Sequence, residues 1–186
     1  MRGRGARLGL GRRYRLEEHV NAADARELFT YNAWANRRVF EALAALVPEL
    51  YTRDVKSSFG SIHGTLAHIV GAEQLWLARW RGQQPGAMLK GDDVGSLAEL
   101  RAIWGRVDSE RREFLDGLTD AMLGSRVVAR PTSGGKEYVH TLQQTLQHTI
   151  DHSSYHRGQI VTMLRQLGIK PPSTGLIGFY REQAGS

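Results

Sequence analysis

The sequence predicts an all-α protein, a four-helix bundle with a short β-hairpin placed before its last helix. Three observations carry that expectation. Four stretches of about 20 residues repeat their apolar side chains at helical spacing, and polar residues stand where each begins. Glycine and proline punctuate the joins between them. One intervening stretch, 125–140, switches instead to short β-branched runs on either side of Pro131-Thr132-Ser133-Gly134-Gly135. Neither an internal repeat nor a linker dividing two cores is visible, and 186 residues suit one domain with a substantial core.

The first helix is expected to begin after Asn21, with Asp24 at the acidic third position, and to run to about Leu46, before Pro48. A second fits Ser61 to Arg81 and ends in the turn-rich Gly82-Gln83-Gln84-Pro85-Gly86. Ser96-Leu97-Ala98-Glu99 is a capping box, in which cap and third-position side chains satisfy each other's free N–H groups; it opens a third helix reaching about Leu118. Arg126-Val127-Val128-Ala129-Arg130 and Lys136-Glu137-Tyr138-Val139-His140 form the hairpin arms. Thr141-Leu142-Gln143-Gln144 is another capping box, opening a fourth helix that ends near Gly168.

The net charge of +6 resembles a nucleic-acid signal until it is located. Arg2, Arg4, Arg7, Arg12, Arg13 and Arg15 all precede the first acid, Glu17, and without them the chain carries 19 basic and 19 acidic residues. Residues 1–20 are therefore read as a basic, disordered extension and 21–186 as the folded domain. Nucleic-acid binding is not expected, because nothing later in the chain supports such a site beside the tail. No apolar run is long enough to span a bilayer, so a cytoplasmic protein is expected. The chain has no cysteine, which excludes disulfides and thiolate metal sites.

The chemistry is expected at His148, His152 and His156, spaced four apart, which a helix stacks along one side. Imidazole pairs at i,i+4 can close on one metal ion. With His148 set at zero on the helical wheel, the apolar arc of Leu146, Ile160, Met163 and Leu164 spans roughly 60° to 160°. His152 falls at about 40° and His156 at about 80°, so these two are the better pair and His148 a neighbour. His63 and His68 lie on the second helix but point about 140° apart. His68 shares a stripe with Gly64, Ala67, Gly71, Leu75 and Ala78, small residues that permit close helix approach and leave room for a metal, so His68 is the preferred third ligand. HxxxH without the glutamate of HExxH is not a metalloprotease signature.

That second helix also carries Ile62, Leu66, Ile69, Val70, Trp76, Leu77 and Trp80 on its other side. Two apolar faces on one bundle helix suggest a homodimer, or a face beneath the long connections. Asn32 and Asn36, one turn apart, are read as buried or rim amides, with a role in orienting ligands as the alternative. Tyr155 and Arg157 are candidates for holding an anionic cosubstrate, although Arg157 points away from the histidines. Gly158 is read as a site of close helix packing.

Phe59-Gly60-Ser61-Ile62-His63-Gly64-Thr65-Leu66-Ala67-His68-Ile69, followed by Ala72-Glu73-Gln74-Leu75-Trp76, resembles the second-helix motif of the DinB/YfiT-like family. His152-Ser153-Ser154-Tyr155-His156-Arg157-Gly158-Gln159-Ile160 is similar to that family's second hallmark, and Tyr31-Asn32-Ala33-Trp34-Ala35-Asn36-Arg37 and Gly168-Ile169-Lys170-Pro171-Pro172 also fit. The resemblance implies an up-down-down-up bundle, often dimeric, with a divalent metal, usually zinc or nickel, on three histidines. Carried over by motif these are His68, His152 and His156, the set the helical wheels favour. It further implies a small-molecule substrate and a low-molecular-weight thiol cosubstrate, in an S-transferase or a related hydrolase; a non-catalytic metal-binding stress protein is the alternative. Gly175 departs from the family, whose members often have Asp there.

Overall fold

The computed structural model describes residues 21–130 and 135–185; the basic extension expected at 1–20, residues 131–134 of the expected turn, and residue 186 lie outside the described residues. Four long helices form the bundle: α1 (Ala22–Ala44), α3 (Ile62–Trp80), α4 (Leu97–Asp116) and α5 (Leu142–Gln166). Two short helices, α2 (Pro48–Thr52) and α6 (Leu176–Gln183), flank it, and β1 (Arg126–Ala129) pairs antiparallel with β2 (Tyr138–Thr141).

Local chemistry sets the helix starts. Asn21 and Asp24 close a reciprocal capping box on α1, and Thr141 and Gln144 do the same for α5. Ser61 and Ser96 cap α3 and α4 by accepting the N–H of Gly64 and Glu99. Pro48, expected only as a stop, also starts α2, because proline's missing N–H costs nothing in a first helical turn.

Packing gives the direction of each helix. One apolar cluster joins Phe40 and Leu43 near the end of α1 to Leu66 early in α3, Leu100 early in α4, and Ile160 and Leu164 late in α5. A second joins Phe29, Leu77, Leu115 and Leu146, from the opposite halves of the same helices. Hence α1 and α5 run one way, α3 and α4 the other, and the connectivity is up-down-down-up. Successive parallel helices need a crossover, and residues 81–96 supply it as a strap laid along α3.

The strap explains the glycines of α3. A Cβ on Gly71 would lie 2.9 Å from Leu89 Cβ, and one on Gly91 would lie 3.0 Å from Gly64 Cα. The small-residue stripe thus makes room for a passing loop, where close approach of another helix was expected. The other apolar side of α3 is buried within this chain, with Ile62, Leu66, Ile69 and Val70 all at most 1 % exposed. Apart from half-buried Trp76, both faces are covered within the described residues, so the sequence argument for dimerisation from α3 loses most of its ground. Gly158 is a further correction: it is exposed, and an added Cβ would meet nothing within 4 Å.

Between the two apolar clusters lies a polar layer, with Asn32 and Asn36 from α1, Glu73 from α3, Asp108 and Arg111 from α4, and Ser153 and Arg157 from α5, all buried. Glu73 Oε1 accepts from Asn32 Nδ2 (2.6 Å), Asn36 Nδ2 (2.9 Å) and Ser153 Oγ (3.0 Å), while Oε2 accepts from Arg111 (2.6 Å). Arg111 also donates to Asp108, and Arg157 donates to both asparagine carbonyl oxygens at 2.5 and 2.9 Å. Burial alone would raise the Glu73 carboxyl; the charge of Arg111 and the hydrogen bonds from Asn32, Arg111 and Asn36 outweigh it and hold the group below the usual carboxylate range.

Candidate metal centre

On the groove side of this layer, antiparallel α3 and α5 bring His68, His152 and His156 together. One ligand nitrogen from each lies within 4.8 Å of the other two. The Nε2 atoms of His68 and His152 stand 3.0 Å apart, and the ring centroids of His68 and His156 are 4.7 Å apart. His152 and His156, one turn apart on α5, have centroids 4.4 Å apart. Nitrogens about 2.0–2.1 Å from a tetrahedral ion sit roughly 3.4 Å from one another, a spacing close to the 3.0 Å between His68 Nε2 and His152 Nε2.

Protonation favours the same use. Burial first, and then neighbouring His156, push His68 down to about 4. His152 is also pushed down to about 4, by burial and then by His156, His68 and His148, with Glu73 opposing. Both rings are therefore neutral at pH 7, with lone pairs to offer. His156 Nδ1 lies 2.8 Å from Gln159 Oε1; an amide oxygen only accepts, so Nδ1 carries the hydrogen and Nε2 the lone pair. The chain has no thiolate to offer, and three imidazoles are a donor set that suits zinc, nickel, copper or iron.

The other expected residues fall outside the trio. His148 is exposed, edge-on to Trp76 at 5.4 Å and 5.8 Å from His152. Burial pushes it below its ordinary value, His140 adding to this and Asp151 opposing. Asn32 and Asn36 serve the buried layer, as the reading of buried amides expected. Arg157 is not available to a cosubstrate: its terminal nitrogens serve Asn32, Asn36, Tyr31 and Ser154. Tyr155 is 65 % exposed and meets His156 edge-on at 5.0 Å.

His68 is also part of the wall of a cleft of about 710 Å³, lined further by Tyr51, Phe59, His63, Lys90 and Asp92. That volume lies within the roughly 300–1,000 Å³ range of small-molecule sites. Sequence reasoning set His63 aside because it diverges from His68 on the wheel, yet both reach this cleft. The cleft itself depends on the strap and α2, which no helical wheel reveals.

Fold and site together describe an up-down-down-up helical bundle with a three-histidine cluster at the edge of its polar core. The DinB family model matches residues 18–184, and the chain belongs to the DinB family. It is 29 % identical over 148 residues to protein DinB of Bacillus subtilis, covering 76 % of this chain and 85 % of that protein. A DinB-like protein from Bacillus cereus superposes with a TM-score of 0.62 at 22 % identity, covering 82 % of this chain and 97 % of that one. YfiT from Bacillus subtilis, a probable metal-dependent hydrolase with an unusual four-helix bundle topology, gives a TM-score of 0.67 at 14 % identity, covering 84 % and 95 %.

Proposed function

We propose that this protein is a divalent-metal-dependent enzyme acting on a small molecule, with His68, His152 and His156 as the metal ligands. The observation carrying this reading is the convergence of three imidazole nitrogens within 4.8 Å, one of the rings shared with a cleft of about 710 Å³. The likeness to YfiT supports it. Zinc or nickel suits such a nitrogen set. A divalent ion held by three nitrogens supplies Lewis acidity for activating a water or a thiol.

The chain's own residues contribute position and protonation state. Gln159 fixes the His156 tautomer, and burial keeps His68 and His152 unprotonated. The cleft leaves room for a substrate beside His68, and its lining includes the polar Lys90 and Asp92 and the apolar Phe59 and Leu89. Within this reading, transfer of a low-molecular-weight thiol or a related hydrolysis is the leading reaction class. The absence of cysteine requires the sulfur to come from a cosubstrate. The family resemblance, rather than any bare face of α3, keeps a homodimer in the cytoplasm as the expected setting; among the described residues no helix is long and apolar enough to cross a membrane.

Metal analysis of freshly purified protein tests the site: about one equivalent in the wild type and none in His152→Ala is expected, and absence of metal from the wild type sinks it. Turnover assays with bacillithiol, mycothiol and electrophilic or hydrolysable substrates then test the chemistry. Bound metal with no turnover across that panel favours the non-catalytic alternative.

A further inference from the structure

The loop before α3 presses an aromatic ring against the candidate metal centre. Phe59 stacks on His68 with ring centroids 4.0 Å apart and planes 18° apart, and it meets His156 edge-on at 5.4 Å. It thus touches two of the three histidines and also lines the cleft. The loop holds it there tightly. Val55 N–H donates to Gly60 O at 2.8 Å, Gly60 N–H to Ser57 O at 3.0 Å, and Ser61 N–H to the Phe59 carbonyl at 2.8 Å.

Two left-handed residues make this turn possible, Gly60 at φ 72° and Lys56 at φ 58°. Lysine adopts that conformation rarely, and strain of this kind gathers where the surrounding structure dictates a functional geometry. Asp54 Oδ1 supports it by accepting from Lys56 N–H at 2.8 Å. On the helix side, a Cβ on Gly64 would lie 2.1 Å from the Phe59 carbonyl oxygen, so any other residue would push the loop away from His68. Hydrogen bonds, backbone strain and a glycine all serve the placement of one ring.

We propose that Phe59 is a positioning residue of the metal centre, fixing the plane of the His68 imidazole and keeping water from the face of His68 that it covers. The inference rests on the three-histidine reading above. Groups that orient metal ligands from outside typically contribute about 10–100-fold in affinity. Stacking on a flat ring restricts rotation about the His68 side chain in a way that an aliphatic group of similar bulk does not.

The test titrates metal-free wild type, Phe59→Ala, Phe59→Leu, Phe59→Tyr and His152→Ala with Zn(II), and records visible absorption spectra with Co(II), whose bands report coordination geometry. Phe59→Ala is expected to bind zinc about 10–100-fold more weakly, with altered Co(II) bands as water gains access. Phe59→Tyr keeps the stack and should restore both properties. Phe59→Leu keeps apolar bulk without the ring, so its Co(II) bands should still shift while its thermal unfolding remains native-like; it carries the test should the alanine variant fail to fold. Wild-type affinity and unchanged bands in Phe59→Ala, or in Phe59→Leu if only that folds, overturn the role of Phe59 while leaving the three-histidine site intact. A wild type that takes up no metal overturns both.

Discussion

Two polar clusters share the middle of this bundle, and they are finished differently. In the buried layer, both oxygens of Glu73 receive donors, the carboxylates of Glu73 and Asp108 pair with the guanidinium of Arg111, and that of Arg157 donates to Asn32 and Asn36. Among the described residues, the Nε atoms of the two arginines lack a partner there. At the histidine cluster, on the same helices α3 and α5, three rings turn nitrogens toward one another, and His152 Nδ1 is buried without a partner among the described residues. Buried polar groups in folded proteins are almost always satisfied, and exceptions ask for an explanation. A cluster that completes its own hydrogen bonds specifies the fold. One that converges three imidazoles in a half-buried groove leaves room for a ligand, as the proposed metal site requires.

The largest effect should come from opening the closed cluster. Glu73→Ala removes the acceptor of four hydrogen bonds and leaves Arg111 short of its buried counter-charge. Breaking a buried pair by removing one partner costs about 3–5 kcal/mol, a large part of the roughly 5–15 kcal/mol total of a typical domain. Urea unfolding should show that loss. A variant of native stability that fails to bind metal would instead make Glu73 part of the site and erase the division.

The converse variant acts on the open cluster. His152→Ala should change metal-free stability little, yet abolish the thermal shift produced by zinc. For the wild type, ligand at a hundred times its dissociation constant adds about 2.7 kcal/mol, so the difference is easily read by calorimetry. Zinc-dependent stabilisation that survives in His152→Ala would place the ion elsewhere.

Acid separates the two clusters by range. His68 and His152 have an ordinary value of 6.5 and are pushed to about 4, so between those values the unfolded chain binds more protons than the folded one. Their contribution is present above about 6.5 and is lost as pH falls to about 4. Glu73 is held below its ordinary 4.5, so its contribution persists through that window and is lost only at lower pH. Denaturation of the metal-free protein at stepped pH should show both limbs, and His152→Ala should flatten the upper one alone.

The sequence reveals these features unevenly, for physical reasons. Helix starts are written locally, in Asn21 with Asp24, Ser61, Ser96, and Thr141 with Gln144, so the four long helices are legible. Helix α6 has no side-chain cap and depends on Phe179 packing against Tyr31 and Ala35, a contact 144 or more residues distant in the chain. The histidine trio is legible because helical spacing and one stripe bring its members to a common groove. Its surroundings are not, since Phe59 and the strap reach it through loops. The buried layer did leave a trace: Glu73 is the one acid in α3, a helix apolar nearly all round, and such a carboxylate must find partners.

Gly158 offers the smallest and most selective probe of this division. It stands on α5 directly after His156 and Arg157, which belong to the open and closed clusters respectively. Nothing lies within 4 Å of where its side chain would be, and its backbone is helical. Alanine at such a position removes the excess freedom of glycine in the unfolded chain and should stabilise by about 0.5–1 kcal/mol. Because no neighbour has to move, neither zinc affinity nor the two acid limbs should change. The urea midpoint and a zinc titration on the same sample check both parts. A loss of stability would mean that close packing at Gly158, as its sequence suggests, is real after all; a change in zinc affinity would mean that this stretch of α5 adjusts when the histidines engage the ion.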